Sequence, residues 1–228
     1  MYDIILFDLD NTILDFDSAE RDSFIKIIEK AGLIYSEDLL QNYKKINTAL
    51  WSALEQGKIS KETVLNTRFQ KFFQLYGVTV DGRLWEENYR FCLNNSSGLI
   101  PNAKYTLREL KKMGKKLYSA SNGVYETQLK RLSNAGIIDL FDGHFISDRI
   151  KYEKPSPLFF EFCLKNLGLI AHSSIIMVGD SPASDITGAI NSGIDSCFYQ
   201  HNSNVQCTYA TYTIQDLSEL LGIVSSCR

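Results

Sequence analysis

Ile4-Ile5-Leu6-Phe7-Asp8-Leu9-Asp10-Asn11-Thr12 opens with four apolar residues that end on two carboxylates two positions apart. A short apolar run of this kind reads as a strand buried on both faces of a sheet. Such a strand carries its acids to the carboxyl end, where open α/β sheets bind ligands. Two carboxylates at this spacing repel each other unless a cation sits between them or one keeps its proton. Mg2+ is the natural cation, because it takes hard oxygen ligands and commonly joins carboxylates to a substrate phosphate. An Asp-x-Asp can also merely begin a turn. The strand in front of it is what favours a site.

Beyond Thr12 the pattern is helical as far as Asn95. Phe24, Ile27, Ile28 and Ala31 recur at helical spacing and stop at Gly32, a suitable C-cap. Ser36 begins a second helix with the stripe Leu39, Leu40, Tyr43, Ile46, Leu50 and Leu54, closed by Gly57. Ser60 begins a third through Val64, Leu65, Phe69, Phe72, Phe73 and Tyr76, closed by Gly77. A fourth is predicted from Asp81 to Asn95, with Leu84, Tyr89 or Asn88, and Phe91 along it. Four helices without a strand read as a small bundle.

From there helix and strand alternate. The predicted helices are 102–113, 126–134, 158–167, 184–192 and 214–221. The predicted strands are 117–120, 144–146, 175–178, 196–199 and 210–213. Alternation of this kind implies a parallel sheet with right-handed crossovers, an α/β Rossmann-like three-layer core. The division expected is a core of residues 1–15 and 96–228 and an inserted helical bundle of 16–95. An insertion after a strand's carboxyl end falls over the ligand crevice, so the bundle is a candidate cap, hinged at Ile13 to Asp17 and Asn95 to Gly98.

Composition narrows the function class. Of 228 residues, 44% are hydrophobic and 22% charged, which is the balance of an ordinary folded globule. A net charge of -3 gives no reason to expect a nucleic-acid polymer or an anionic membrane as partner. The basic run Lys111-Lys112-Met113-Gly114-Lys115-Lys116 straddles a helix end, where cations complement the dipole. Five scattered cysteines, Cys92, Cys163, Cys197, Cys207 and Cys227, form no Cys-x-x-Cys pair and read as reduced thiols. Strand pattern from residue 2 leaves no room for a signal peptide, and no apolar run spans a bilayer, so a cytoplasmic monomer or small homo-oligomer is expected. His144, His172 and His201 are too scattered to make a metal site.

The later strand ends add what a phosphate site needs. Ser121-Asn122-Gly123 offers a hydroxyl and backbone N–H groups before a helix N-terminus. Lys154 stands before Pro155, which is suited to begin a helix. Gly179-Asp180-Ser181-Pro182-Ala183-Ser184-Asp185 ends the most apolar strand of the chain. Each is unremarkable alone, as a turn, a surface charge or a helix-start acid. Their joint occurrence at four strand ends is what points to phosphoryl transfer.

On these four motifs the sequence resembles the haloacid dehalogenase superfamily: Asp8, Asp10 and Thr12 match the first, Ser121 the second, Lys154 with Pro155 the third, and Gly179, Asp180 and Asp185 the fourth. The resemblance covers essentially the whole chain and implies a Rossmann-like core with a helical cap. It implies further that Asp8 is the nucleophile, Asp10 the general acid and base, and that Mg2+ is held by Asp8, the Asp10 backbone carbonyl and Asp180. Ser121, Asn122 and Lys154 would hold the phosphate, and Thr12 and Asp185 would support the site. Dehalogenases of the superfamily lack the second acid, so Asp10 implies a phosphatase acting on a small phosphate ester. Asn47-Thr48-Ala49-Leu50-Trp51, Glu55-Gln56-Gly57-Lys58-Ile59-Ser60, Arg68-Phe69 and Asn11 are similar to bacterial pyrimidine 5'-nucleotidases. That narrower likeness implies a nucleoside monophosphate held with the help of Asp15, Phe16, Asn47 and Trp51. A phosphatase of phosphoglycolate or a sugar phosphate shares every catalytic residue. A phosphomutase would transfer to a sugar, and a non-enzymatic relative would be expected to lack a motif acid.

Overall fold

The computed structural model describes residues 2–168, 174–201 and 205–225. The chain divides into two compact units, Met1–Phe16 with Ser97–Arg228, and Asp17–Ser96.

In the first unit the described strands are β1 (Ile4–Phe7), β2 (Lys116–Ser121), β3 (Gly143–Ile146), β4 (Ile175–Gly179), β5 (Asp195–Tyr199) and β6 (Tyr212–Ile214). They form one parallel sheet in the order β3-β2-β1-β4-β5-β6. Successive strand residues point to opposite faces, and both faces are covered. Ile5, Phe7, Leu117, Ile176 and Val178 pack with Leu107 and Leu110 of α5 (Ala103–Lys112), Leu132 of α6 (Tyr125–Asn134) and Leu220 of α10 (Leu220–Ser225). Ile4, Leu6, Ala120, Ile175 and Met177 pack with Phe159, Phe160 and Cys163 of α8 (Pro157–Asn166) and Ala189 of α9 (Thr187–Asn191). The result is the three-layer α/β arrangement expected. Strand order reverses at β1, with β2 and β3 on one side and β4 to β6 on the other. The carboxyl ends of β1 and β4 therefore lie side by side, Phe7 opposite Val178, at a topological switch point.

Several boundaries differ from expectation for local reasons. Helix α8 begins at Pro157, because Ser156 caps it by accepting the Leu158 N–H at 3.3 Å; Pro155 stays in the preceding turn. Asp216 and Glu219 form a capping box over a 3-10 turn at Leu217–Glu219, so the last helix starts later than 214 and β6 extends to Ile214. A short helix α7 (Ser147–Ile150) follows β3 and was not anticipated. Cys92, Cys163, Cys197 and Cys207 are free thiols; Cys227 and His172 lie outside the described residues. Among the described residues no helix is long and apolar enough to cross a membrane.

The second unit is built from α1 (Phe16–Lys30) beyond its first residue, α2 (Glu37–Glu55), α3 (Lys61–Gln74) and α4 (Gly82–Asn94). Ser36, Ser60 and Asp81 cap α2, α3 and α4 by accepting backbone N–H groups of their first turns. Phe24, Tyr43, Phe69, Phe72 and Tyr89 form its aromatic core. The stripe expected along α4 is corrected: Leu84 and Phe91 are 54% and 72% exposed, and Gly82, Glu86, Tyr89 and Leu93 face inward. Gly82 sets that rotation, since a Cβ there would lie 1.9 Å from the Asn66 carbonyl oxygen. Glu86, Tyr89 and Leu93, four, seven and eleven positions on from Gly82, then lie buried on the same face, and the Trp85 ring flanks it 4.7 Å from the Phe73 ring of α3.

Candidate active site

The site grows from the loop after β1. Asp8 remains tied to the sheet by its N–H, which donates to the Val178 carbonyl at 2.8 Å. The chain then folds tightly, and the Leu9 carbonyl accepts the N–H groups of Ile13 and Leu14 at 2.9 and 2.7 Å. Asn11 sits in the left-handed region at φ 60°, which Asn tolerates better than most side chains, and its Oδ1 accepts the Phe16 N–H at 3.1 Å. The Asp15 N–H donates to the Gly98 carbonyl at 3.1 Å. Asn11 thus ties the sharp turn to the start of α1, with the Leu9 and Gly98 carbonyls holding the residues between.

Asp8, Asp180 and Asp185 converge, each offering an oxygen within 4.8 Å of the others. The buried Lys154 Nζ donates to Asp8 Oδ1 at 2.7 Å and to Asp185 Oδ1 at 2.5 Å. Burial alone would lower the lysine's pKa, but Asp185 and Asp8 outweigh it and hold the ammonium charged. The acids are less well served. Burial pushes Asp8 well above the usual carboxylate range; Lys154 counters this, while Asp185, Asp180 and Asp10 add to it. Asp180 is pushed up to about 7 by burial first and by Asp185 next, with Lys154, its own backbone and Thr12 opposing. Thr12 Oγ1 donates to Asp180 Oδ1 at 3.3 Å. One ammonium faces three carboxylate groups, and this uncompensated oxygen-only donor set fits a hard divalent cation.

Asp185 is locked from its own turn. Its Oδ2 accepts the Ser181 N–H at 3.0 Å, and Gly179 leaves it room: a Cβ at 179 would meet Asp185 Oδ2 at 2.2 Å. Gly179→Ala is therefore expected to displace the carboxylate that fixes Lys154 and to cut kcat by about 10²-fold, the scale of an ångström misplacement. A kcat within about threefold of the parent would show that Asp185 is not placed by this contact.

Ser121 and Asn122 follow β2. Asn122 clips the Lys154 segment, donating from Nδ2 to the Lys154 carbonyl at 2.9 Å and accepting the Lys154 N–H on Oδ1 at 2.8 Å. Ser121 Oγ accepts the Gly123 N–H and a Gln128 Nε2 hydrogen, both at 3.1 Å. Gln128 and Arg131, one turn apart on α6, reach Asp10: Gln128 Nε2 donates to Oδ2 at 2.6 Å, and Arg131 Nη1 donates to Oδ1. The Asp10 carboxylate therefore stands outside the three-acid cluster. Neither α6 residue was anticipated; within Tyr125–Asn134 they read as polar positions of an amphipathic helix, and nothing local marks them.

Asp8, Asp10, Thr12, Ser121, Asn122, Lys154, Asp180 and Asp185 are thus joined in one unit by direct or one-residue links. Phe16 belongs to it too, its ring 5.6 Å from the Arg131 guanidinium carbon. Asn47 and Trp51 belong to the helical unit. Trp51 is half-buried there, and the buried Asn47 donates from Nδ2 to Glu20 Oε1 at 2.8 Å and accepts Arg68 Nη1 on Oδ1 at 3.1 Å. Its amide is engaged inside its own unit.

Comparison with known proteins agrees with this construction. A family model described as hydrolase, haloacid dehalogenase-like hydrolase, matches residues 2–193. The chain is 34% identical over 225 residues to the pyrimidine 5'-nucleotidase PynA of Streptococcus pneumoniae, covering 96% of this chain and 95% of that protein. It is 28% identical over 221 residues to the pyrimidine 5'-nucleotidase YjjG of Escherichia coli, covering 96% of each. The crystal structure of the HAD-hydrolase YfnB of Bacillus subtilis, bound to magnesium, superposes with a TM-score of 0.93 at 33% identity, covering 99% of both chains.

Proposed function

The chain belongs to the haloacid dehalogenase-like hydrolase family and is a phosphatase of it, and we propose that it hydrolyses nucleoside 5'-monophosphates, pyrimidine ones first, through a phosphoaspartate on Asp8. The observation that carries the chemistry is the buried meeting of Asp8, Asp180, Asp185 and Lys154 at the adjacent ends of β1 and β4. The substrate class rests on the likeness to PynA and YjjG.

In the first half-reaction an Asp8 carboxylate oxygen bonds to phosphorus as the bond from phosphorus to the leaving oxygen breaks, and the Asp10 proton passes to that oxygen. In the second, water attacks phosphorus, gives a proton to Asp10, and the Asp8–phosphorus bond breaks to release phosphate. Ser121, the Asn122 N–H and Lys154 hold the transferring oxygens, and Asp185 fixes Lys154. Asp8, Asp180 and the Asp10 backbone carbonyl would hold Mg2+, with Asp185 beside it. When bound, the ion supplies positive charge to a phosphoryl oxygen and to the clustered carboxylates. The helical unit is read as a cap that selects the leaving group and excludes water, with Asp15, Phe16, Asn47 and Trp51 as its candidate contacts.

Phosphate release from a panel of nucleoside monophosphates, phosphoglycolate and sugar phosphates with Mg2+ tests this reading. A preference for a sugar phosphate over every nucleotide would overturn the substrate class. Chelator should stop turnover and Mg2+ restore it. Asp180→Ala should raise the Mg2+ concentration for half-maximal activity by at least about tenfold. Mg2+ should also raise the melting temperature of the parent more than that of the variant, because it binds the folded state. Full turnover in chelator would remove the metal from the mechanism.

A further inference from the structure

The α6 pair is not explained by holding phosphate or metal. Arg131 and Gln128 are almost wholly buried, and each grips a different oxygen of a carboxylate whose side chain is 30% exposed. From the juxtaposition of the Arg131 guanidinium, the Gln128 amide and the Asp10 carboxylate, we infer that Arg131 and Gln128 are positioning residues that fix Asp10 for proton transfer to the leaving group.

Two donors on two oxygens remove both torsions of a short side chain that would otherwise sample several rotamers. The donors are themselves held. Gln128 Oε1 accepts from Arg131 Nη1 at 3.3 Å, and the same amide's Nε2 also donates to Ser121 Oγ. Helix α6 is anchored by Leu132 in the core and by Asp148 Oδ2, which accepts the Tyr125 N–H at 3.2 Å. Each carboxylate oxygen keeps a second lone pair, so the grip does not block the transfer. Oδ1 faces the Arg131 cation and Oδ2 the neutral Gln128 amide. The amide that orients this oxygen also touches Ser121, which ties the acid's position to the phosphate-holding loop. Gly123 guards the arrangement, since a Cβ there would lie 2.3 Å from Gln128 Nε2.

This inference rests on the proposed phosphatase chemistry, and the test separates the two. The value of kcat/KM, which reports the steps through departure of the leaving group, is measured for the best alkyl ester of the panel and for p-nitrophenyl phosphate. An alkyl oxygen needs the Asp10 proton to leave, whereas p-nitrophenolate does not. Arg131→Met is expected to lower kcat/KM by about 10²-fold for the alkyl ester and by no more than about threefold for the aryl ester, with KM little changed. Gly123→Ala, which keeps all three network residues but pushes Gln128 aside, should show the same selective loss and carries the test if Arg131→Met does not fold. Equal losses toward both esters, or no loss toward either, in a variant that melts as the parent does would overturn the inference alone. A parent inert toward every phosphate ester would overturn the phosphatase reading and this inference with it.

Discussion

Replacing Asp8 with Asn is expected to reduce turnover by at least about 10⁴-fold while leaving the protein as stable as the parent or more so. The amide keeps the shape of the carboxylate but cannot attack phosphorus. The stability side follows from the cost of the charge. Burial first, then Asp185, Asp180 and Asp10, push the Asp8 pKa up, and Lys154 offsets only part of this. A carboxyl whose pKa is raised by folding opposes folding at any pH where it is ionised, so at neutral pH its neutralisation relieves a penalty. Lys154 loses one anionic partner but keeps Asp185 at 2.5 Å. Melting curves in chelator, together with rapid-quench labelling by phosphate-labelled substrate, check both halves. Hydrolysis near the parent rate, or covalent label on the variant, would remove Asp8 from the nucleophile's role.

The parts of this site that could be read in the sequence are those whose position is set by a strand end. Asp8 and Asp180 each follow an apolar run and Ser121 ends a shorter, mixed strand pattern, so local pattern alone places all three at one edge of a sheet. Lys154 was recognisable only with its neighbours, because its turn follows α7 rather than β3 directly. Gln128 and Arg131 were invisible for the opposite reason: their partner Asp10 lies 118 and 121 residues away, and on α6 they resemble solvent-facing polar residues. The helical unit misled in the same way. Leu84 and Phe91 looked inward by hydrophobicity, but the close approach at Gly82 turned Glu86 inward instead, where Arg68 from another helix receives it. A buried charge is legible only when both partners are known.

That pair gives the second large effect expected. Arg68 Nε and Nη2 donate to Glu86 Oε2 and Oε1 at 2.6 and 2.8 Å, its Nη1 donates to Asn47, and Asn47 donates to Glu20. Four helices are joined by this chain of contacts, since Glu20, Asn47, Arg68 and Glu86 lie on α1, α2, α3 and α4. The guanidinium carbon also lies 4.6 Å from the Tyr89 ring centre. Arg68→Met strands Glu86, whose remaining ion-pair partner is the more exposed Arg90 at 3.3 Å, and leaves Asn47 Oδ1 without this donor. The expected cost is about 3–5 kcal/mol for the helical unit. Arg68→Lys should recover only part of it, because an ammonium cannot reproduce the fork. The double variant Arg68→Met with Glu86→Leu should recover more, because no charge is then left buried alone. Both tryptophans, Trp51 and Trp85, lie in this unit, so tryptophan fluorescence during urea unfolding reads its stability separately from the sheet. Asn47→Ala extends the test to the residue read from sequence as a nucleoside contact. If its work is in this network, the variant unfolds earlier and loses activity alike toward a nucleotide and p-nitrophenyl phosphate. A raised KM for the nucleotide alone, with unfolding unchanged, would place Asn47 against the substrate instead.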